Sequence, residues 1–390
     1  MSNVSEKASA IEKEIISWRR HLHAHPELSC KEYETTEYIA ERLSEMGIPF
    51  ERFEGCTGGV AVIRGDRPGK TVMLRADIDA LPIIEDSGVE FSSQNNGVMH
   101  ACGHDCHTAM LLGAASILKD MKNEINGTVK LIFQMGEEIG RKSGEYVKRG
   151  ALLGVDAIFG MHVWPTMDTG YANFEEGERM ACSDRFTIRI TGKSSHGSAP
   201  HLGQDAVLAA AACVLALQKI PSREKDPLDT CVLTVGMMNG GTKQNIIAAD
   251  VELVGTVRVF NKAFRDSMPE RISKICENVA AGYGCTAGCD YYFGPSPLIN
   301  EDKGLVKIAQ EAAKKELGEN SLIPVQKMTG AEDFSVYLES VPGVYGYIGI
   351  RNEARGICCS NHHPAFVVDE DALRHGTAIY VNFALDYLNS

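Results

Sequence analysis

The chain has no excess of positive charge, no apolar stretch at its start, and no repeat or low-complexity tract. Each absence excludes something. The formal net charge is −13 at pH 7. Nucleic-acid and anionic-membrane surfaces need clustered positive charge, so neither partner is expected. The opening "MSNVSEKASAIEKEIISW" lacks the apolar core of a secretion signal, and no later run is read as approaching membrane-spanning length. The expected place is the cytoplasm. The 12 cysteines are scattered through the chain and are read as reduced thiols rather than a disulfide framework, with adjacent Cys358 and Cys359 an oxidation liability.

What is present is ordinary for a folded protein, with 44% apolar and 23% charged residues. At 390 residues one core usually stops growing, so two domains are expected. Ile11, Ile15, Trp18 and Leu22 recur at helical spacing, and a second helix is predicted from about Glu32 to Met46, capped by Gly47. The runs "GGVAVIRG", "TVMLRAD", "GTVKLIFQ" and "DAIFGMHV" read as strands, with the helix "TAMLLGAASILKDM" among them. Strands alternating with helices predict a three-layer α/β domain.

The pattern then changes. The strand "DRFTIRITG", the helix "QDAVLAAAACVLALQKI" ended by Pro221, the strands "TCVLTVGMM" and "NIIAADVELVGTVRVF", a helix from "RDSMPERISK" and the strand "CTAGCDYYF" follow in turn. This β-α-β-β-α-β order suits a ferredoxin-like sandwich. An α/β pattern resumes after "GPSP", with a helix near Leu305–Leu317, the strand "GVYGYIGI" and a last helix from about Asp369. The expected architecture is an α/β domain over 1–183 and 295–390, interrupted by an α+β insert over 184–294.

Polar clusters fall where predicted strands end. "RADIDALP" carries Asp77 and Asp79, "QMGEEIG" carries Glu137 and Glu138, "GMHVWP" closes a strand with His162, and "NHHPAF" brings His362 and His363. "MHACGHDCHTAM" crowds His100, Cys102, His104, Asp105, Cys106 and His107 ahead of an apolar run. Singly, each has a plain reading. Cys102 and His104 fit a buried polar pair as well as a metal site, the glutamate pair fits a solvated surface, and His162 fits a core histidine. Together they weaken those readings, because open α/β sheets bind ligands at the carboxyl ends of their strands. Cysteine, histidine and glutamate also suit zinc and its neighbours.

These runs, with "HGSAPH", "GTVR", "TGAEDFSVY" and "HHPAF", resemble the amidohydrolase branch of the aminoacylase and carboxypeptidase G superfamily of co-catalytic metallopeptidases. That branch includes hippurate hydrolases, indole-acetyl-amino-acid hydrolases, N-acyl-amino-acid amidohydrolases and N-acetyl-diaminopimelate deacetylases. The resemblance spans the chain from first helix to last, with the motifs in order. It implies a metallopeptidase-type catalytic domain and an inserted lid through which the protein dimerises. It also implies two divalent metal ions per subunit (zinc or manganese, with cobalt or nickel tolerated) held by Cys102, His104, Glu138, His162 and His362. Cys102 would bridge the ions as a thiolate, and Glu137 would be the general base. His196 would stabilise the oxyanion in the partner subunit's site, Asn245 and Arg258 would hold the substrate carboxylate, and Asp77 and Asp105 would orient ligand imidazoles. The implied reaction is hydrolysis of the amide bond of a small N-acyl or N-aroyl amino acid or dipeptide-like amide, a dipeptidase, carboxypeptidase or deacetylase being the variant on the same scaffold.

The sequence departs from the pattern at "MG" before the glutamate pair, at "SSHGSAPH" in the lid loop and at Val367. None is a proposed ligand, but the lid loop lines the acyl pocket. Two rival readings are a cysteine hydrolase with Cys102 as nucleophile, and a non-catalytic metal-binding protein of this fold. The first does not need Glu137, Glu138, His162 and His362; the second would usually have lost the base.

Overall fold

The computed structural model describes residues 4–390. The β-branched and aromatic runs pair into a seven-stranded sheet. Its order is Phe50–Glu51, Gly58–Arg64, Asn126–Gln134, Arg67–Asp77, Ala157–Asp168, Gly343–Arg351 and Ala172–Asn173. The four strands from Asn126–Gln134 to Gly343–Arg351 run parallel, so their carboxyl ends share one edge. The helices His104–Asp120 and Asp371–Leu388 pack against this sheet and against each other. The core is built there from Leu74, Leu112, Leu131, Phe159 and Phe383, all fully buried.

The chain divides into two compact units. The first runs from the N-terminal helix to Gly177 and resumes over Ile299–Gln326 and Asp333–Ser390. The second is Glu178–Leu298 with Lys327–Glu332. The short segment Lys327–Glu332, distant in sequence from the insert expected over 184–294, joins it because Ala181 N–H donates to the carbonyls of Met328 (3.1 Å) and Gly330 (2.9 Å).

The second unit is a four-stranded antiparallel sheet in the order Thr286–Tyr292, Asp184–Thr191, Asp250–Val259, Cys231–Gly240. The helices Ala206–Leu217 and Met268–Gly282 pack on it. Counted in chain order the strands lie 4-1-3-2, the ferredoxin-like arrangement. Phe186, Ile188 and Ile190 alternate into its core, as period-two patterning requires.

Several boundaries moved. The first helix is two, Val4–Ala10 and Glu12–Ala24. The helix expected from Thr108 begins at His104, which puts the ligand-rich run into its first turn. His162 does not close its strand, because pairing with Gly343–Arg351 carries the strand on to Asp168. The strand expected from Asn245 starts at Asp250, because residues 245–247 bond instead to the loop carrying His196. The helix before Pro221 ends at Leu217. One stretch, Ala206–Glu224 (19 residues), does reach membrane-spanning length and apolarity, contrary to expectation. It contains the helix whose inner face packs on the four-stranded sheet, while Val207, Leu208 and Leu215 of that helix are exposed. All twelve cysteines are free thiols.

Candidate metal centre

The site is built on the carboxyl edge of the parallel strands. Cys102 and His104 flank Gly103, whose φ of +90° is the left-handed conformation that glycine adopts without penalty. A Cβ there would meet Val163 Cγ2 at 2.4 Å. That glycine lets the chain turn into the helix while keeping both donors at its first turn. After the strand Asn126–Gln134, Gly136 (φ +62°) starts the tight turn that carries Glu137 and Glu138.

The structure brings the five expected ligands together as two triads that share one sulfur. Donor atoms of Cys102, His104 and His162 lie within 4.8 Å of one another, and so do those of Cys102, Glu138 and His362. Cys102 Sγ is 3.4 Å from His162 Nε2 and accepts from Asn361 Nδ2 at 3.6 Å. His362 Nε2 is 3.4 Å from Glu138 Oε1. His362 itself sits at φ +64°, a conformation that non-glycine residues rarely adopt and that tends to cluster at functional sites.

The donor atoms fit a cation. The Val163 carbonyl can only accept, so His162 Nδ1, 2.6 Å away, carries the proton and Nε2 presents its lone pair toward Cys102. His104 Nδ1 donates to Asp79 Oδ1 at 3.2 Å, leaving a buried Nε2 without a hydrogen-bond partner. Glu138 Oε1 is likewise buried without one. Polar atoms left this way cost about 1–3 kcal/mol each unless something binds them. The electrostatics agree. Burial and the charge of Glu138 push the Cys102 thiol well up. Burial opposes a charge on His104, yet Asp77 and the Cys102 sulfur raise its pKa well above the usual range. The neighbouring Glu138 carboxylate raises His362. A divalent cation beside these groups would supply positive charge and push all three back down.

His107 is not available as a ligand. Its Nδ1 donates to Asp77 Oδ1 at 2.5 Å, and its Nε2 accepts the Val163 N–H at 3.0 Å. The expectation that Asp77 and Asp105 orient ligand imidazoles needs correction. Asp77 grips His107 and stands 3.6 Å from His104 Nε2, while Asp105 Oδ2 takes Arg19 and His23, each at 2.8 Å. Asp79, singled out in the sequence at a strand end but given no role there, orients His104. Its two oxygens also accept the backbone N–H groups of Glu137 and Glu138, both at 3.1 Å, and the Ser29 hydroxyl at 2.6 Å. Burial opposes charge on Asp79, but the His104 hydrogen bond keeps its pKa low. The available signal was a second carboxylate two residues past the strand end in "DID".

Three expected residues lie in the second unit. His196 and Asn245 are exposed and adjacent. Gly197 N–H donates to the Asn245 carbonyl at 2.7 Å, and His196 bridges to Ile246. Ser198 N–H donates to His196 Nδ1 at 3.1 Å, so a neutral ring carries its proton on Nε2. Arg258 is not with them. It faces Val232 near the far end of the strand Asp250–Val259, about 25 Å along at about 3.3 Å per residue.

Comparison with known proteins agrees with this geometry. Residues 73–386 match the peptidase family M20/M25/M40. The chain belongs to that family. It is 40% identical over 367 residues to the N-acetyl-L-cysteine deacetylase of Bacillus subtilis, covering 94% of this chain and 86% of the relative. It is 41% identical over 295 residues to the N-acyl-L-amino acid amidohydrolase of Geobacillus stearothermophilus, covering 75% and 80%. A dinuclear metal-binding M20 peptidase of Bacillus subtilis superposes with a TM-score of 0.86 at 36% identity, over 98% of this chain and 99% of that one.

Proposed function

We propose that this chain hydrolyses the amide bond of N-acyl or N-aroyl amino acids or of dipeptide-like amides, releasing a carboxylic acid and a free amino acid. The observation that carries this is the Cys102 sulfur common to two donor triads, with a backbone-clamped glutamate beside them. Cys102, His104 and His162 would hold one divalent cation, and Cys102, Glu138 and His362 the other, zinc or manganese suiting the set best. Bound there, the cations supply Lewis acidity toward the amide carbonyl and a nucleophilic water at neutral pH.

The chain's own residues do the rest. Glu137 takes a proton from the attacking water and returns it to the departing nitrogen. Asp79 fixes the backbone that presents Glu137, and orients His104 through its Nδ1–H. Arg258 offers the guanidinium fork that a substrate carboxylate fits. His196, with its proton on Nε2, is a donor suited to a developing oxyanion. The family resemblance implies that the second unit acts as a lid whose His196, with Asn245 beside it, completes the partner subunit's site, and the separation of His196 from Arg258 within one chain supports that reading. This revises the pairing of Asn245 with Arg258 on the carboxylate.

The test is a zinc- or manganese-loaded assay against N-acetyl, N-benzoyl and indole-acetyl amino acids and dipeptides, with and without chelator. Turnover of N-acyl amino acids that chelator abolishes is the expected result. Turnover that survives metal removal would point to Cys102 as nucleophile, and no turnover by metal-replete protein would reject the reading.

A further inference from the structure

Glu137 is held from a second side, by a residue that neither the sequence motifs nor the family match assigns a task. The backbone N–H of Asp333 lies 3.3 Å from Glu137 Oε1 and points its hydrogen at it. Asp333 is fully buried, as are Gln134 and Ser143, and Arg75 is 1% exposed. Its carboxylate takes three donors: Gln134 Nε2 at 2.7 Å, Arg75 Nη2 at 3.1 Å and Ser143 N–H at 3.0 Å. Its carbonyl accepts the Ser143 hydroxyl at 2.8 Å. A residue gripped at both carboxylate oxygens and at its carbonyl has little freedom to move its N–H. Arg75 also donates to Asp77 at 2.6 Å, and Asp77 holds His107 behind the donor cluster. One buried guanidinium therefore ties the scaffold of the metal ligands to the scaffold of the base.

We propose that Asp333 is a positioning residue for Glu137: its carboxylate, anchored by Arg75, Gln134 and Ser143, fixes the N–H that sets the place of the base. The proposal rests on the reading of Glu137 as the general base. A base must sit within hydrogen-bond reach of the proton it takes, and misplacement by about 1 Å can cost about 10²-fold in rate. Asp333→Asn is nearly isosteric but weakens the grip of Arg75 by removing the charge.

The experiment measures kcat, KM, metal content and the unfolding midpoint for Asp333→Asn, alone and combined with Glu137→Gln. The expected result alone is a kcat lower by about 10–100-fold, KM within about twofold, and metal content near wild type. In the Glu137→Gln background the same substitution should cause no further loss, because its effect passes through the carboxylate already removed. An equal loss in both backgrounds, or a loss of bound metal, would make Asp333 structural and overturn the proposal. High turnover by Glu137→Gln alone would overturn the base reading instead, a distinct outcome. If Asp333→Asn does not fold, Ser143→Ala removes only the hydroxyl grip. It should lower kcat by about 3–10-fold in the wild-type background and leave Glu137→Gln unchanged; equal losses there overturn the proposal in the same way.

Discussion

His107 donates its Nδ1 proton to Asp77 across 2.5 Å while its other nitrogen accepts the Val163 N–H. The histidine that lies among the candidate donors in sequence is thereby spent on the scaffold behind them. His107→Leu removes a partner from a buried carboxylate, at a cost of about 1–3 kcal/mol. Because Asp77 and Val163 both neighbour the donor cluster, metal affinity should also weaken by about 10–100-fold. Chemical denaturation and a competitive metal-indicator titration would measure the two effects. Stability and affinity both unchanged would show that the contact does not support the site.

Cys102 belongs to both donor triads. Cys102→Ala should therefore lose at least one of two metal ions per subunit and nearly all activity, as read by elemental analysis of the purified protein. Full occupancy in the variant would demote the sulfur to a bystander.

Arg258 tests the substrate class. Truncating one partner of a buried charged pair costs about 2–5 kcal/mol. Arg258→Ala should therefore raise KM for N-acyl amino acids far more than for the matching N-acyl amines, which lack the carboxylate. Equal effects on both substrate types would make Arg258 part of the fold rather than of recognition.

The donors themselves were legible because their side-chain types and spacing are local: Cys102 and His104 in one run, Glu137 and Glu138 in another. The parallel order of strands then carries them to one edge. What holds the donors was harder to read, because it is long-range. Arg75 reads as a charge in a buried strand, and nothing local says that it meets Asp333, 258 residues away. Arg19 lies one helical turn after Ile15, on the same buried face. That spacing was a usable sign that its charge needs a buried partner, which proves to be Asp105. The role of Asp79 was missed for a different reason: it lies past the strand end, where period-two alternation no longer says which way a side chain faces. In the second unit the strand was expected to begin too early, since "NIIAAD" is as apolar as a strand but spends its backbone bonds on the His196 loop.

The separation of His196, in a loop before the strand Asp250–Val259, from Arg258, near the end of that strand, gives the sharpest test of a site shared between subunits. Suppose each site takes Glu137 from one chain and His196 from the other. A mixed dimer of Glu137→Ala with His196→Ala then contains one site carrying both lesions and one site carrying neither. Subunits that pair at random give about half mixed dimers, each with one of two sites intact, so about a quarter of wild-type activity should return when two inactive proteins are combined. A site built within one chain behaves otherwise, because every chain in the mixture carries a lesion. The two variants would be unfolded and refolded together, with different tags to confirm that mixed dimers form, and hydrolysis of an N-acyl amino acid assayed. Recovery well above the sum of the separate variants is the expected result. Mixed dimers without recovery would remove His196 from the partner's site and leave it a surface residue of the second unit.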